Sequence, residues 1–411
     1  MNSYIFLVGR SDSHSESVTA IKKLGYKAGI FVDITVELDN PAQFDIIVPT
    51  DFSTAMPAYT LPDGIMIAGL QCTYENYIVA KAKIGTSLSL AAISIESASA
   101  ATDKLLMRDA FAKNASNFTP QFTEATSLVS VIEFANTYGY PVILKPTNLV
   151  KSLLVTKCSN EEELRHNFSY AQEHIAELYE KYGVKDRNPL LIIEEFVIGK
   201  SCSIAAFVDQ KGNPHFCEGI VALQTAGDRG IDDNYLYART VPLDVDNSLG
   251  QKLFEAARVG IQALGMSSTA AHVELIYTDN GSVYIIEIGA RIGGYRPRMY
   301  AASYGINLHE QEVQLAAGNI PELTGQFKGP TAVVELFPNT PGEFVEITNE
   351  TQLRNLPSLT YLAIKAKPGE FVGKAATGYK ACAIVMLHNA NWQQFKQDLV
   401  FLDTNVQVSV T

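Results

Sequence analysis

Cysteine is scarce in this chain of 411 residues, and the five present, Cys72, Cys158, Cys202, Cys217 and Cys382, are odd in number and form no CxxC pair. Neither a zinc ribbon nor a disulfide framework is indicated, and the thiols read as buried side chains in a reducing compartment. Long apolar runs are missing as well. No uninterrupted apolar stretch of 18 residues occurs, so no membrane partner is expected. The opening MNSYIFLVGR has a short apolar run without a basic lead, which gives no secretion signal and makes a cytosolic protein the expectation. Basic residues are outnumbered, 32 Lys and Arg against 44 Asp and Glu, for a formal charge of −12. A general nucleic-acid binder needs a clustered basic face, so no nucleic-acid partner is expected and any anionic ligand must be held by local devices. Two glycine signatures are also absent: the turn after the first strand lacks GxGxxG, and no GxxxxGK[ST] occurs, which removes the main support for nicotinamide and P-loop readings.

What is present suffices for a multi-domain globular protein, with 47% hydrophobic and 18% charged residues and a length suggesting two or three domains at roughly one per 150 residues. YIFLVG, then a polar turn, then VTAIKKLGYKAGIFVD read as strand, helix and strand, and FDIIVP and GIMIAG follow as further strands. This predicts an α/β fold opening with a parallel sheet covered by helices, over residues 1–115. From 116 to 328 the pattern is mixed: PVILKP, the charged helix NEEELRHNFSYAQEHIAELYEKYG with a solvated face, LLIIEEFV and SCSIAAFVD. The segment Gln224 to Tyr235 reads as a mobile loop of the kind that covers ligands. A third unit of short strands is expected over 329–411.

HVELIYTDNGSVYIIEIGARIGG carries two acids inside apolar runs. Asn280-Gly281 flanked by such runs signals a two-residue hairpin turn, which pairs Asp279 with Ser282, Tyr277 with Tyr284, and Glu274 with Glu287. Like charges directly opposed on one sheet face repel, by about 4 kcal/mol at ~4 Å and an effective dielectric near 20. Either one carboxylate is protonated or a cation lies between them. Hard oxygens at that spacing suit Mg²⁺, with phosphate oxygens and water completing its shell. His272, Gly289 and Arg291 share the face by alternation. Arg291 offers a planar fork for a carboxylate or phosphate, whereas His272 reads as a hydrogen-bonded structural histidine.

VYIIEIGARIGG resembles the C-terminal metal strand of ATP-grasp enzymes, in which two acids bind Mg²⁺ and a downstream arginine faces the reacting groups. ATDKLLMRDAF is similar to the helix bearing that family's first nucleotide lysine, here Lys104, and YPVILKP to the strand bearing the second, Lys145. LLIIEEFVIG resembles the hinge whose backbone pairs with adenine, which implies Glu194, Glu195, Phe196 and Val197 around the base. The resemblance implies an ATP-grasp fold with a Rossmann-like N-terminal domain and a small α+β C-terminal domain. It also implies ATP and Mg²⁺ as cofactors, Mn²⁺ being an alternative ion, and a homodimer through the first domain is common in similar proteins.

Three positions depart from the family pattern. KPTNLVKSLLV has no glycine where a glycine-rich flap is usual, leaving Lys151 and Ser152 to reach phosphate oxygens. Ser201 stands where an acid commonly holds the ribose. Gly289 stands where an asparagine is often a third metal ligand, and with Arg291 kept this is similar to the L-amino acid ligase branch. The implied activity is an ATP-dependent carboxylate–amine ligase working through an acyl phosphate on small-molecule acids and amines, with Glu274 and Glu287 on the metal and Arg291 as the catalytic residue. Arg296 and Arg298 are candidates for a second substrate carboxylate. A carboxylase-like enzyme activating bicarbonate or another small acid, and a nucleotide-binding homologue with impaired catalysis, remain as alternatives.

Overall fold

The computed structural model describes residues 3–10, 14–149, 153–182, 184, 188–231, 233 and 235–411. Four parallel strands open the chain, in the order Ile46–Thr50, Lys27–Asp33, Ser3–Gly9, Met66–Gln71. Ile5, Phe6, Leu7 and Val8 are wholly buried. The first strand lies inside the sheet with both faces covered, which is why YIFLVG shows no polar alternation. Helix Ser15–Lys23 turns Val18, Ala20 and Ile21 inward and completes the expected strand–helix–strand opening.

The smaller middle sheet joins Phe122–Glu124, Leu191–Glu195, Val142–Pro146 and Thr156–Cys158 in that order, all antiparallel. The charged helix Glu161–Lys181 covers it. Leu164, Phe168, Ala171, Ile175 and Tyr179 recur at helical spacing and are buried against this sheet, while the charges between them stay in solvent. Asn160 caps the helix by accepting from the Glu163 amide, and three glutamates sit in the first turn, where the helix dipole favours negative charge.

Among the described residues the larger sheet has nine strands. From its edge they run Val283–Gly289, Thr269–Tyr277, Lys200–Val208, Val221–Thr225, Leu236–Val241, Thr331–Leu336, Ala383–His388 and Leu359–Ile364, with Pro214–Phe216 paired beside Lys200–Val208. The trailing segment therefore adds three strands to the sheet of the middle segment, through the antiparallel pair Leu236–Val241 and Thr331–Leu336. A small sheet of Gly342–Ile347, Phe371–Val372 and Val408–Val410 is its own. Among the described residues no helix is long and apolar enough to cross a membrane.

The hairpin at the sheet edge differs from the expected two-residue turn. Thr278 donates its amide to Ser282 O and Gly281 donates to Thr278 O, so the loop is the three residues Asp279, Asn280 and Gly281. Gly281 has φ +78°, the left-handed conformation that closes such loops. Next to the turn Tyr277 therefore faces Val283 and Ile276 faces Tyr284, one residue away from the expected register. A bulge at Ile286 then absorbs one residue, and beyond it Glu274 faces Glu287 and His272 faces Gly289.

Candidate active site

The two glutamates are opposed on neighbouring strands, each side chain 37% exposed. Two residues back on the same face, His272 Nε2 lies 3.1 Å from Glu274 Oε1. Burial alone would raise the Glu274 pKa, but the His272 hydrogen bond and the charges of His272, Arg296 and Arg291 outweigh it and bring it down to about 2. Glu274 is thus held as an anion. Burial pushes His272 below the ordinary histidine range, and its role is to orient Glu274, in line with a structural histidine.

Lys104 stands 3.8 Å from Glu287 Oε2 and donates to Leu149 O. It opens the helix Lys104–Asn114, whose cap Asp103 accepts from the amides of Leu105 and Leu106. Asn148 bonds both Asp103 and Thr102 O, and the Lys104 amide bonds Thr147 O. These contacts tie the first lysine to the end of the strand carrying the second. Lys145 donates to Glu194 Oε2 at 2.8 Å, and Arg108 takes the same carboxylate with two bonds of 2.9 and 3.1 Å. All three side chains are buried. Burial opposes ionisation of Glu194, yet the two cations bring it down to about 2, while burial lowers Lys145 despite its partner.

The Glu194 side chain therefore points at Lys145 and Arg108, on the same sheet face as its cross-strand partner Ile143. Glu195, on the other face of the strand, is half-buried beside the Gln121 amide. Phe196 lines a cavity of about 620 Å³ together with Ile143, Lys157, Tyr235 and Lys374. Lys157 lies 4.4 Å above the Phe196 ring. Val197 follows in the same irregular segment, and Ser201 sits in the strand Lys200–Val208 opposite Leu223 and Ile276, apart from the residues lining this cavity. Lys151 and Ser152 lie outside the described residues.

The segment Gln224 to Tyr235 does border the cavity, through Thr225, Gly227, Ile231, Asp233 and Tyr235. Its described residues are fastened to the trailing segment at two points. Arg229 bonds Asp403, and the Asp233 carboxylate accepts from the amides of Ala375 and Ala376, both at 2.9 Å. Carboxylate–amide bonds of this kind hold a loop because the charge strengthens each one.

Arg291 reaches Glu75, a residue that the sequence reading did not single out. Its Nε donates to Glu75 Oε2 at 2.6 Å and its Nη1 to Ile292 O. Burial raises the Glu75 pKa, with Arg291 opposing the rise. A side chain at position 289 would begin only 3.3 Å from Glu75 Oε2. The glycine that replaces the usual asparagine thus leaves room for a carboxylate arriving from the leading sheet's segment. No local pattern in QCTYENY announces this. Arg296 is buried and donates to Ser203 Oγ, lending its charge to Glu274. Arg298 instead pairs with Glu16 and stacks on Tyr361, outside the site.

Two facing carboxylates make a hard oxygen pair. Among the described residues no group of three His, Cys, Asp or Glu could hold a metal by itself. This donor set fits an ion such as Mg²⁺ that takes the rest of its shell from phosphate and water, and it does not fit a zinc site. Residues 138–298 match the family model described as an ATP-grasp domain.

The chain therefore carries a segment similar to the ATP-grasp domain. The matched ATP-grasp domain contains Lys145, the hinge and the hairpin, and Lys104 precedes it. Over 229 residues the chain is 28% identical to the alanine–anticapsin ligase of Bacillus subtilis (strain 168), covering 54% of this chain and 48% of that one. It spans about half the length of these curated relatives. Over 283 residues it is 25% identical to the D-alanine–D-alanine ligase of Proteus mirabilis (strain HI4320), covering 65% of this chain and 72% of the other. The solved L-amino acid ligase from Bacillus licheniformis superposes over the whole of both chains with a TM-score of 0.77 at 16% identity, which establishes a shared fold.

Proposed function

We propose that the protein is an ATP- and Mg²⁺-dependent ligase that joins a carboxylate to an amine through an acyl phosphate, on amino-acid-like substrates. The observation that carries this reading is the convergence at one sheet edge. Glu287 faces Glu274, Lys104 stands beside Glu287, and Lys145 sits in the strand to which the Lys104 helix is tied. In a chain of net charge −12, cations gathered this way support the reading of a polyanion site.

When bound, Mg²⁺ on Glu274 and Glu287 supplies charge neutralisation at the phosphates and polarises the group to be transferred. Lys104 and Lys145 hold the phosphate oxygens as point charges, and the cavity beside Phe196 takes the base. A carboxylate oxygen forms a bond to the γ-phosphorus as the bond to the ADP oxygen breaks. The amine nitrogen then attacks the acyl carbon, phosphate leaves, and a proton from nitrogen goes to it. Arg291 faces the charge that develops on the carbonyl oxygen, fixed in orientation by Glu75; loss of one such donor costs about 3–4 kcal/mol in rate. Orientation without reorganisation is what the rigid hairpin contributes.

Phosphate release with ATP, Mg²⁺ and pairs of amino acids tests the reading, with products weighed by mass spectrometry. Amide products are expected. ATP turnover without amide across a broad panel of acids and amines rejects the ligase assignment, and a carboxylated product would move it to a bicarbonate-activating enzyme.

A further inference from the structure

Arg108 is, with Arg296, among the largest fully buried side chains of the described residues, 1% exposed, and nothing in the chemistry above uses it. Its guanidinium makes four hydrogen bonds in two directions. Nε and Nη2 hold both oxygens of Glu194, whose Oε2 also binds Lys145. Nη1 and Nη2 donate to Ile285 O and Ile286 O at 3.0 and 2.9 Å. Consecutive carbonyls of a regular strand point opposite ways, so one guanidinium can take both only because of the bulge at Ile286. Their strand is the sheet edge, and among the described residues no further strand pairs with it. Glu287 is the next residue. Arg108 also lies one helical turn after Lys104, on the same face.

We propose that Arg108 is a positioning residue that fixes the phosphate lysine Lys145, through Glu194, and the metal carboxylate Glu287, through the bulge carbonyls, in one rigid frame. The proposal rests on the ligase reading above. Its physical basis is that a planar fork with five donors can hold a carboxylate and two carbonyls at set angles, whereas an ammonium on a flexible stem cannot. Without it, the strand edge and the Lys145–Glu194 pair are left to the longer link through Lys104, which lies 3.8 Å from Glu287 and bonds Leu149 O. Metal and phosphate positions then drift while the base cavity, built from other residues, persists.

The test uses the full chain, Mn²⁺ as the paramagnetic probe and a non-hydrolysable ATP analogue. Arg108→Lys is expected to bind the analogue without metal nearly as wild type does, yet to lose about tenfold to a hundredfold in Mn²⁺ affinity of the ternary complex. Its kcat should fall by a similar factor while KM for ATP changes little. In Arg108→Ala, added guanidinium ion should restore part of the Mn²⁺ affinity, which a merely structural role would not produce. Wild-type Mn²⁺ affinity and kcat in Arg108→Lys overturn the proposal, as does a loss that tracks the unfolded fraction without guanidinium rescue. Should the lysine variant not fold, Glu194→Gln weakens the same link from its other end, and unchanged Mn²⁺ affinity there is equally fatal. A wild-type protein that binds no metal–nucleotide complex removes the ligase reading and this proposal together; a binding wild type with indifferent variants removes this proposal alone.

Discussion

Glu274 and Glu287 face each other because two irregularities of the hairpin cancel. The three-residue loop at Asp279–Gly281 shifts the register by one, and the bulge at Ile286 shifts it back. Without the bulge, a slip of one residue would send Glu287 to the opposite face of the sheet.

Glu287 faces Glu274 but also has Lys104 3.8 Å away, so repulsion and ion pair oppose each other. Glu287→Gln is therefore expected to move the melting temperature little in metal-free buffer, by less than the equivalent of about 1 kcal/mol. The same variant should lose the stabilisation that Mg²⁺ with nucleotide gives the wild type. Thermal melts with and without both ligands measure the two effects, and an unchanged ligand-induced shift would exclude Glu287 from the metal site.

His272 governs the acid behaviour of Glu274. A carboxylate whose folded pKa lies at about 2, below its unfolded value near 4.3, adds stability that is complete above the unfolded value. That contribution is lost as the pH falls between the two. His272→Gln removes the charge and weakens the hydrogen bond, so Glu274 should titrate at higher pH and acid unfolding should begin earlier. Solvent screening at this half-exposed group keeps the effect small. Carboxyl NMR shifts of Glu274 against pH are the direct reading.

The room at Gly289 is reserved by Glu75. Gly289→Asn should destabilise the protein by about 1–3 kcal/mol, because the new side chain starts within 3.3 Å of the Glu75 carboxylate. In a Glu75→Ala background most of that cost should vanish. Urea unfolding of the four proteins gives the coupling, and strict additivity would show that the two positions do not compete for space.

Asp233 fastens the cavity wall to the trailing segment. Asp233→Ala should speed amide exchange at Ala375 and Ala376, whose donors lose a charged acceptor worth about 2 kcal/mol. ATP affinity should weaken, since Asp233, Tyr235 and Lys374 line one cavity. Hydrogen exchange and calorimetry on the same sample decide whether the two changes occur together.

The linear pattern carried much of this architecture. YIFLVG could be read as a doubly covered strand because its burial leaves no polar position, and the helix Glu161–Lys181 showed its apolar stripe at helical spacing. The carboxylate pair was reached through a turn of the wrong length. The consecutive Ile285 and Ile286 conceal the bulge, since two adjacent isoleucines look alike in sequence whether or not the strand is regular. The ion pairs of Glu194 with Lys145 and Arg108 leave no mark in LLIIEEFV, since both partners lie far along the chain.

Local sequence by itself determined the strands, the hairpin and the residue types that a polyphosphate and a hard metal ion require, because periodicity and turn chemistry act within a few residues. Tertiary structure alone decided which charges meet: Arg291 with Glu75, 216 residues away, and Arg108 with Ile285 O, 177 residues away. Such pairs follow from how separate sheets pack and from the cost of burying an ion unpaired, and neither leaves a mark at short range along the chain.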